Sequence, residues 1–414
     1  MIAELISVGT ELLMGQILNT DAQYLSQKMQ EYGVDVYHQS VVGDNMGRLV
    51  ESIRIACGRS DLVILSGGLG PTEDDLTKEA VASYLNLPME RHQPSVDALH
   101  AYFARTGRVP TPNNYRQCDF PTGALILPNS CGTAPGCVCS DGKFDIVVLP
   151  GPPHELKAMF ESGVQPYLSS RMEKKICTRM LRIFGIGESF VENAIKDLID
   201  SQTNPTIAPY AALSEVSLRV TASCPLNGDG FALVDPVVEK IRERLGDCLY
   251  STNNESMPEL CVRLLTERNA TLSVAESLTG GMVSSELVAV PGASNALLES
   301  VVAYSVPAKI RLGVGEETIK KYGVVSAEVA LEMAECIRKR SGSDYALATT
   351  GVAGPGPDKK GVPAGTSYVG ISREGLSHSF LVKTSGIRNR VRTSVTLNAL
   401  DVLRRALLGL PLPQ

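Results

Sequence analysis

Two short stretches carry residue types whose spacing could do chemistry. The first is Ser66-Gly67-Gly68-Leu69-Gly70-Pro71-Thr72-Glu73-Asp74-Asp75-Leu76-Thr77. Gly67, Gly68 and Gly70 lack a Cβ, so their N–H groups could come close to a phosphate, and Pro71 stiffens the exit from the turn. Glu73, Asp74 and Asp75 follow at the start of an expected helix running to Leu85. Carboxylates beside an anion cradle repel the anion unless a hard divalent cation bridges them, so the stretch suits a metal-nucleotide site. A simpler reading has Thr72, Asp74 and Asp75 capping the helix and complementing its dipole. Capping accounts for an Asp or a Thr but not for three preceding glycines.

The second stretch is Glu276-Ser277-Leu278-Thr279-Gly280-Gly281, at an expected strand-to-helix turn. There Ser277 would be exposed, and the backbone of Thr279, Gly280 and Gly281 would sit at a helix N-terminus, where an oxyanion or phosphate is favoured. The five histidines, His38, His92, His100, His154 and His378, all fall outside these loops. A serine hydrolase without histidine needs another base, and a desolvated neutral lysine can serve. Lys309, in Tyr304-Ser305-Val306-Pro307-Ala308-Lys309, follows a strand pattern and is the candidate; the competing reading is a surface lysine beside Arg311. Thr350 and Gly351, in Thr349-Thr350-Gly351-Val352-Ala353-Gly354-Pro355-Gly356, offer a hydroxyl and backbone donors for a phosphate or ribose. Arg388 opens the last helix and could grip a phosphate with a bidentate fork, whereas Arg390 and Arg392 are assigned to the solvated face. Arg116 is a further candidate clamp, with a bystander surface arginine as the alternative.

The surrounding pattern is that of an α/β protein: a doubly wound N-terminal domain (1–170), a small α+β connecting domain (171–252) and an α/β C-terminal domain (253–414). Strands are expected at 2–8, 34–42, 62–65 and 146–149, with helices at 22–32 and 49–56 between them. Ligands of doubly wound sheets bind at the carboxyl ends of the strands, which puts Gly9-Thr10-Glu11, Gly43-Asp44-Asn45 and the glycine loop on one rim. Asp44, Asp74, Asp75 and Glu11 are therefore the candidate metal ligands. In the connecting domain, 214–223 alternates like a strand with one wet face and 234–245 reads as an amphipathic helix, with no visible chemistry.

Composition narrows the function classes. The 414 residues are 43% hydrophobic and 20% charged, with a formal net charge of −6, which provides no basic field for nucleic acid. No membrane segment is evident, and the N-terminus enters a strand pattern at once without the features of a signal peptide, so a cytosolic protein is expected. Ten cysteines include no CxxC pair, which favours reduced structural thiols over a zinc site.

The quoted motifs, with Gly132-Thr133-Ala134-Pro135-Gly136, resemble those of the competence/damage-inducible CinA family along nearly the whole chain. The resemblance implies a molybdopterin-binding-like N-terminal domain that hydrolyses ADP-ribose to AMP and ribose 5-phosphate, using a divalent metal (Mg, Mn or Co) and K+. It implies a C-terminal amidohydrolase domain, without cofactor, that converts nicotinamide mononucleotide to nicotinate mononucleotide and ammonia. By it, Ser277 is the nucleophile, Lys309 its base, and Tyr304, Thr350 and Arg388 helpers or ligand contacts, in a homodimer. Two other readings stay open: a pterin-binding or adenylyl-transfer module, and a non-catalytic regulatory or competence protein.

Overall fold

The computed structural model describes residues 1–171, 174–212 and 214–413. They form two compact units: residues 1–177 with 222–231, and residues 178–221 with 232–414. The segment expected to be a separate connecting domain contributes to both.

In the first unit, β1 (Ile2–Val8), β2 (Asp35–Val42) and β3 (Leu62–Ser66) precede a two-stranded ribbon of β4 (Met89–Arg91) and β5 (Asp119–Pro121). Then come β6 (Leu125–Leu127), β7 (Gly136–Ser140) and β8 (Asp145–Leu149). The main sheet has the order β2-β1-β3-β8-β7-β6, parallel across its first four strands and antiparallel at β7 and β6. Every residue of β3 and β8 is buried, as continuous apolar runs covered on both faces require. Successive side chains alternate between two cores. Val63, Leu65, Ile146 and Val148 meet Leu49, Ile53 and Val81 on one face, while Leu62, Ile64, Val147 and Leu149 meet Leu25, Met29 and Phe160 on the other. The flanking helices Thr20–Glu31 and Met46–Cys57 start at Asn19 and Asn45, whose side-chain oxygens accept the N–H groups of Ala22 and Arg48, both at 3.1 Å.

A second sheet, of order β10-β11-β9-β12, is formed by β9 (Lys174–Ile183), β10 (Thr206–Ala212), β11 (Glu215–Pro225) and β12 (Leu249–Ser251); all of it but residues 174–177 and 222–225 belongs to the second unit, as does the larger sheet. The expected alternation appears in β11, which buries every second side chain. The larger sheet is built from β13 (Leu272–Glu276), β14 (Leu297–Val302), β15 (Tyr345–Gly351), β16 (Thr366–Arg373) and β17 (Leu376–Lys383). Its order is β14-β13-β15-β16-β17, with β14, β13 and β15 parallel. Helix Ala327–Ser341 packs Val329, Met333 and Ile337 on one face, and helices Met257–Glu267 and Arg388–Leu408 fill the other core. Parallel strands end on the same side, so the ends of β13, β14 and β15 bring Ser277, Ala303 and the 351–356 loop towards one rim. Among the described residues, no helix is long and apolar enough to cross a membrane.

Candidate active sites

In the second unit β13 is wholly buried and ends at Glu276, which hands over directly to Ser277. After β14 the chain turns at Ser305, which caps helix Val306–Leu312 by accepting the Ala308 N–H at 3.3 Å, with Pro307 in the first turn. That short helix places Lys309 one turn in, with its side chain fully buried. Its Nζ lies 2.8 Å from Ser277 Oγ, 2.8 Å from the Ala303 carbonyl oxygen and 3.4 Å from the Tyr304 carbonyl oxygen. The surface-lysine reading fails on this geometry. No carboxylate is among these partners, so burial pushes the Lys309 pKa down, from 10.5 to about 8. A neutral amine has two N–H bonds and one lone pair. Here two carbonyls can take the N–H bonds, and the lone pair is left to accept the Ser277 proton.

The turn after Ser277 is built differently from expectation. The N–H of Gly281 donates to Glu276 Oε2 at 2.9 Å and that of Gly280 to the Ser277 carbonyl at 3.1 Å, so neither points to a ligand. Glu276, fully buried, also accepts the N–H groups of Val283 and Ser284 and the Ser284 hydroxyl. This carboxylate thus closes the N-terminus of helix Met282–Val288, where orphan donors and the helix dipole favour an anion. Gly280 and Gly281 retain a conformational role at φ 62° and 92°.

Thr350 also departs from expectation. It is buried, and its hydroxyl donates to the Val324 carbonyl at 2.8 Å. Side chains of a strand alternate in direction, so only one of the adjacent threonines can face Ser277, and it is Thr349. The Thr349 carbonyl accepts the Ser277 N–H at 3.0 Å, and its hydroxyl pairs with that of Thr279 at 2.7 Å. Gly351 lies against Ser367 of β16 where a Cβ would clash, so it serves sheet packing. Tyr304 and Arg388 do come together: the Arg388 guanidinium donates to the Tyr304 hydroxyl at 3.1 Å and to the Gly354 carbonyl at 2.8 Å. Arg392, assigned to the solvated face, instead donates to the Thr279 carbonyl at 2.7 and 3.3 Å. Its spacing of four from Arg388 was the signal for a shared helix face.

In the first unit the carboxyl ends of the parallel strands surround a cleft of about 560 Å³. Its lining includes Glu11, Asp44, Asp74 and Asp75 as expected, together with Asp21 and Glu155, and contains no Lys, Arg or His. The helix after the glycine loop begins only at Thr77, so Glu73, Asp74 and Asp75 occupy the preceding turn. That turn is tied by Thr72, whose N–H donates to Asp75 Oδ2 at 2.9 Å and whose hydroxyl contacts both Asp74 and Asp75. The Thr72 hydroxyl holds the Asp74 carboxyl below its usual range. Asp44 accepts from the Thr10 hydroxyl at 2.7 Å and from its N–H at 3.0 Å. Among the described residues, no three His, Cys, Asp or Glu side chains converge as a preformed metal cage. Carboxylates spread along a rim suit a magnesium-like ion held by one or two of them and completed by phosphate oxygens and water.

Two expectations change here. The Gly67 N–H donates to the Leu149 carbonyl at 3.0 Å, and Cβ atoms at Gly67 and Gly68 would meet Val8 and Thr77, so these glycines let the strand ends and helix approach closely. A Cβ at Gly70 would strike Asp75. Arg116 is not a clamp in the cleft: it donates to the Thr72 carbonyl at 2.9 Å and to Glu79 at 3.1 Å, bracing the acidic turn. The pattern also missed Asp21, whose Oδ1 is buried without a partner and whose pKa burial pushes up to about 6 against the pull of Lys157.

Three family profiles match: "Probable molybdopterin binding domain" over residues 4–170, "Damage-inducible protein CinA KH domain" over 178–251, and "CinA C-terminal domain" over 254–407. A CinA-like protein of Kosmotoga olearia is 46% identical over 409 residues, covering 99% of both chains. One from Dictyoglomus thermophilum is 47% identical over 409 residues, covering 98% of this chain and 99% of that protein. A crystal structure of the protein CinA from Thermoplasma acidophilum, with unknown function, is 31% identical and covers 40% of this chain and 96% of its own, at a TM-score of 0.38.

Proposed function

The chain belongs to the CinA family, and from that membership and the buried Ser277–Lys309 pair we propose a bifunctional hydrolase of pyridine-nucleotide salvage. The C-terminal activity is hydrolysis of a carboxamide, with nicotinamide mononucleotide as the substrate the family suggests. The observation that carries it is the 2.8 Å contact between Ser277 Oγ and a lysine amine with no carboxylate partner and a pKa lowered to about 8. Neutral Lys309 takes the Ser277 proton as Oγ bonds to the amide carbon. The resulting ammonium returns that proton to the nitrogen, and the carbon–nitrogen bond breaks to release ammonia and leave an acyl ester on Ser277. Water, deprotonated by the same amine, then attacks the ester and regenerates Ser277, with nicotinate mononucleotide as product. Arg388 and Tyr304, exposed and joined to each other, would meet the nucleotide's phosphate and ring. Glu276, Thr349 and Arg392 hold the backbone of the nucleophile turn.

The N-terminal activity is hydrolysis of the diphosphate of ADP-ribose. The cleft fits an anionic substrate only when it comes with cations, because six carboxylates and no basic side chain line it. Asp44, Asp74 and Asp75, with Glu11 on the same rim, would hold a divalent ion such as Mg, Mn or Co. That ion supplies charge neutralisation of the diphosphate and of the leaving phosphate. Thr72 and Thr10 fix the carboxylates, and Arg116 and the close-packed glycines fix the turn that carries them. The deciding experiment is to offer the purified protein both nucleotides, with and without chelator. Ammonia from nicotinamide mononucleotide that survives chelation, and chelator-sensitive AMP from ADP-ribose, are the expected results; release of neither product refutes both assignments.

A further inference from the structure

One side chain in the N-terminal cleft is held in place with nothing to hold. Residues Pro112–Cys118 form a tight helical turn in which Arg116 reaches away to Thr72 and Glu79, while its neighbour Gln117 lines the cleft. Gln117 is 3% exposed, and its side-chain oxygen Oε1 is buried without a hydrogen-bond partner. An unpaired buried acceptor costs on the order of 1–3 kcal/mol, so native proteins rarely retain one unless it meets a partner from outside the chain.

Loose packing does not explain the missing partner. Lys78, itself 3% exposed, donates from Nζ to the Gln117 carbonyl at 2.8 Å and to the Arg116 carbonyl at 3.2 Å. The same ammonium sits 4.3 Å from the centre of the Phe120 ring. A buried cation with two carbonyls and an aromatic face pins the backbone on both sides of the Cα, so only the side-chain torsions remain to turn the amide towards a ligand. Sequence pattern marked Arg116 here, but the fold turns the adjacent residue into the cleft.

The lining also restricts what the amide meets. Six carboxylates and no cation already surround the space, and a carbonyl oxygen added to that set repels phosphate oxygens. It suits a neutral O–H or N–H donor. In a nucleotide such donors are the ribose hydroxyls and the amino group of adenine, whose edge also offers an acceptor to the NH2 end of a Gln amide. We propose that Gln117 is a specificity-determining residue of this cleft, its amide receiving a hydroxyl or amino donor from the nucleoside part of the ligand. The inference rests on the reading of the cleft as a nucleotide site.

The test uses Gln117→Met, which keeps an unbranched side chain of similar length and removes the amide. Binding of AMP and of ribose 5-phosphate is measured by calorimetry with magnesium present, alongside ADP-ribose turnover and the melting temperature of the free protein. The free variant is expected to melt no lower than the parent, since an unpaired acceptor has gone. AMP affinity is expected to fall about tenfold, the size of one neutral hydrogen bond, with the KM for ADP-ribose rising similarly and kcat within a few-fold. A parallel loss for ribose 5-phosphate identifies a hydroxyl as the donor; a loss for AMP alone identifies the base. Unchanged affinity for both overturns the proposal and leaves Oε1 to a water, as does a variant that folds but melts several degrees below the parent. Should the Met variant fail to fold, Gln117→Asn withdraws the amide by one methylene, and parental affinity in it overturns the proposal equally. A parent that binds AMP through Gln117 without cleaving ADP-ribose sinks the proposed reaction and keeps the inference. One that cleaves ADP-ribose independently of Gln117 does the reverse, and a parent that binds neither probe refutes both.

Discussion

The two candidate sites use burial in opposite ways. At Ser277 a lysine is fully enclosed, and the loss of water around it lowers its proton affinity until it can act as a base. In the N-terminal cleft the carboxylates stay on an open rim, tied by hydroxyls of Thr10 and Thr72, with no Lys, Arg or His in the lining. One site manufactures its reagent from a single side chain and the surrounding apolar packing. The other, on the proposed reading, assembles negative charge that becomes useful only when a cation arrives with the ligand. A proton-transfer site can thus be complete within the chain, whereas an acidic phosphate site is complete only as a ternary assembly.

The largest effects should come from breaking the self-contained site. Ser277→Ala and Lys309→Met are each expected to lower ammonia release from nicotinamide mononucleotide by on the order of 10³-fold or more, and the double variant should be no slower than the worse single one, because the pair acts as one unit. Additive losses would mean that the two residues work separately. ADP-ribose hydrolysis should be untouched in all three proteins, and a fall there would break the comparison. Next in size, Asp74→Asn or Asp75→Asn is expected to reduce ADP-ribose hydrolysis by on the order of 10²-fold and to blunt its dependence on added metal, while ammonia release and the melting temperature hold. Parental rates in both variants would return this turn to the role of a helix cap.

How far the sequence revealed these sites differs between them for a physical reason. Strands β3 and β8 were legible because a strand buried on both faces is nearly continuous in apolar residues, and the rim followed from parallel strands ending together. Ser277 and Lys309 were legible because eliminating histidine left few bases. What stayed hidden were partners set by orientation. Whether Gly67 and Gly281 offer their N–H groups to a ligand or to Leu149 and Glu276 depends on where a neighbouring strand or carboxylate lies. Thr349 and Thr350 are chemically alike, and only the phase of β15 distinguishes them. Gln117 carries no signal of its own, since its significance is a hydrogen bond that the folded chain does not make.

A smaller effect sharpens the contrast in how the two sites respond to pH. The proposed amidase mechanism needs Lys309 neutral, so kcat/KM for nicotinamide mononucleotide should climb about tenfold per pH unit below about 8 and level off above it. Lys309→Arg, charged at every accessible pH, should show no such limb. Hydrolysis of ADP-ribose should lack this limb as well; finding it in both activities would place the titrating group elsewhere.

The smallest effect is thermodynamic and bears on what burial costs the self-contained site. Lys309 has a folded-state pKa near 8, against 10.5 in the unfolded chain. Between those values the unfolded chain holds more protons, so this group's contribution to stability rises with pH across that window; below about 8 its full penalty remains. At pH 7 that penalty is roughly 3 kcal/mol. Lys309→Met removes it at the expense of the hydrogen bonds to the Ala303 and Tyr304 carbonyls, which offset part of the gain. The variant is therefore expected to melt a few degrees above the parent at pH 7, in the calorimetric transition that nicotinamide mononucleotide moves. The gap should narrow from pH 8 and close towards 10.5. No comparable gain is expected from Asp74→Asn, because that carboxylate is exposed and never lost its water. A Lys309→Met protein that melts below the parent at pH 7 would mean that the amine is a net stabiliser, and that its burial is not the source of a base.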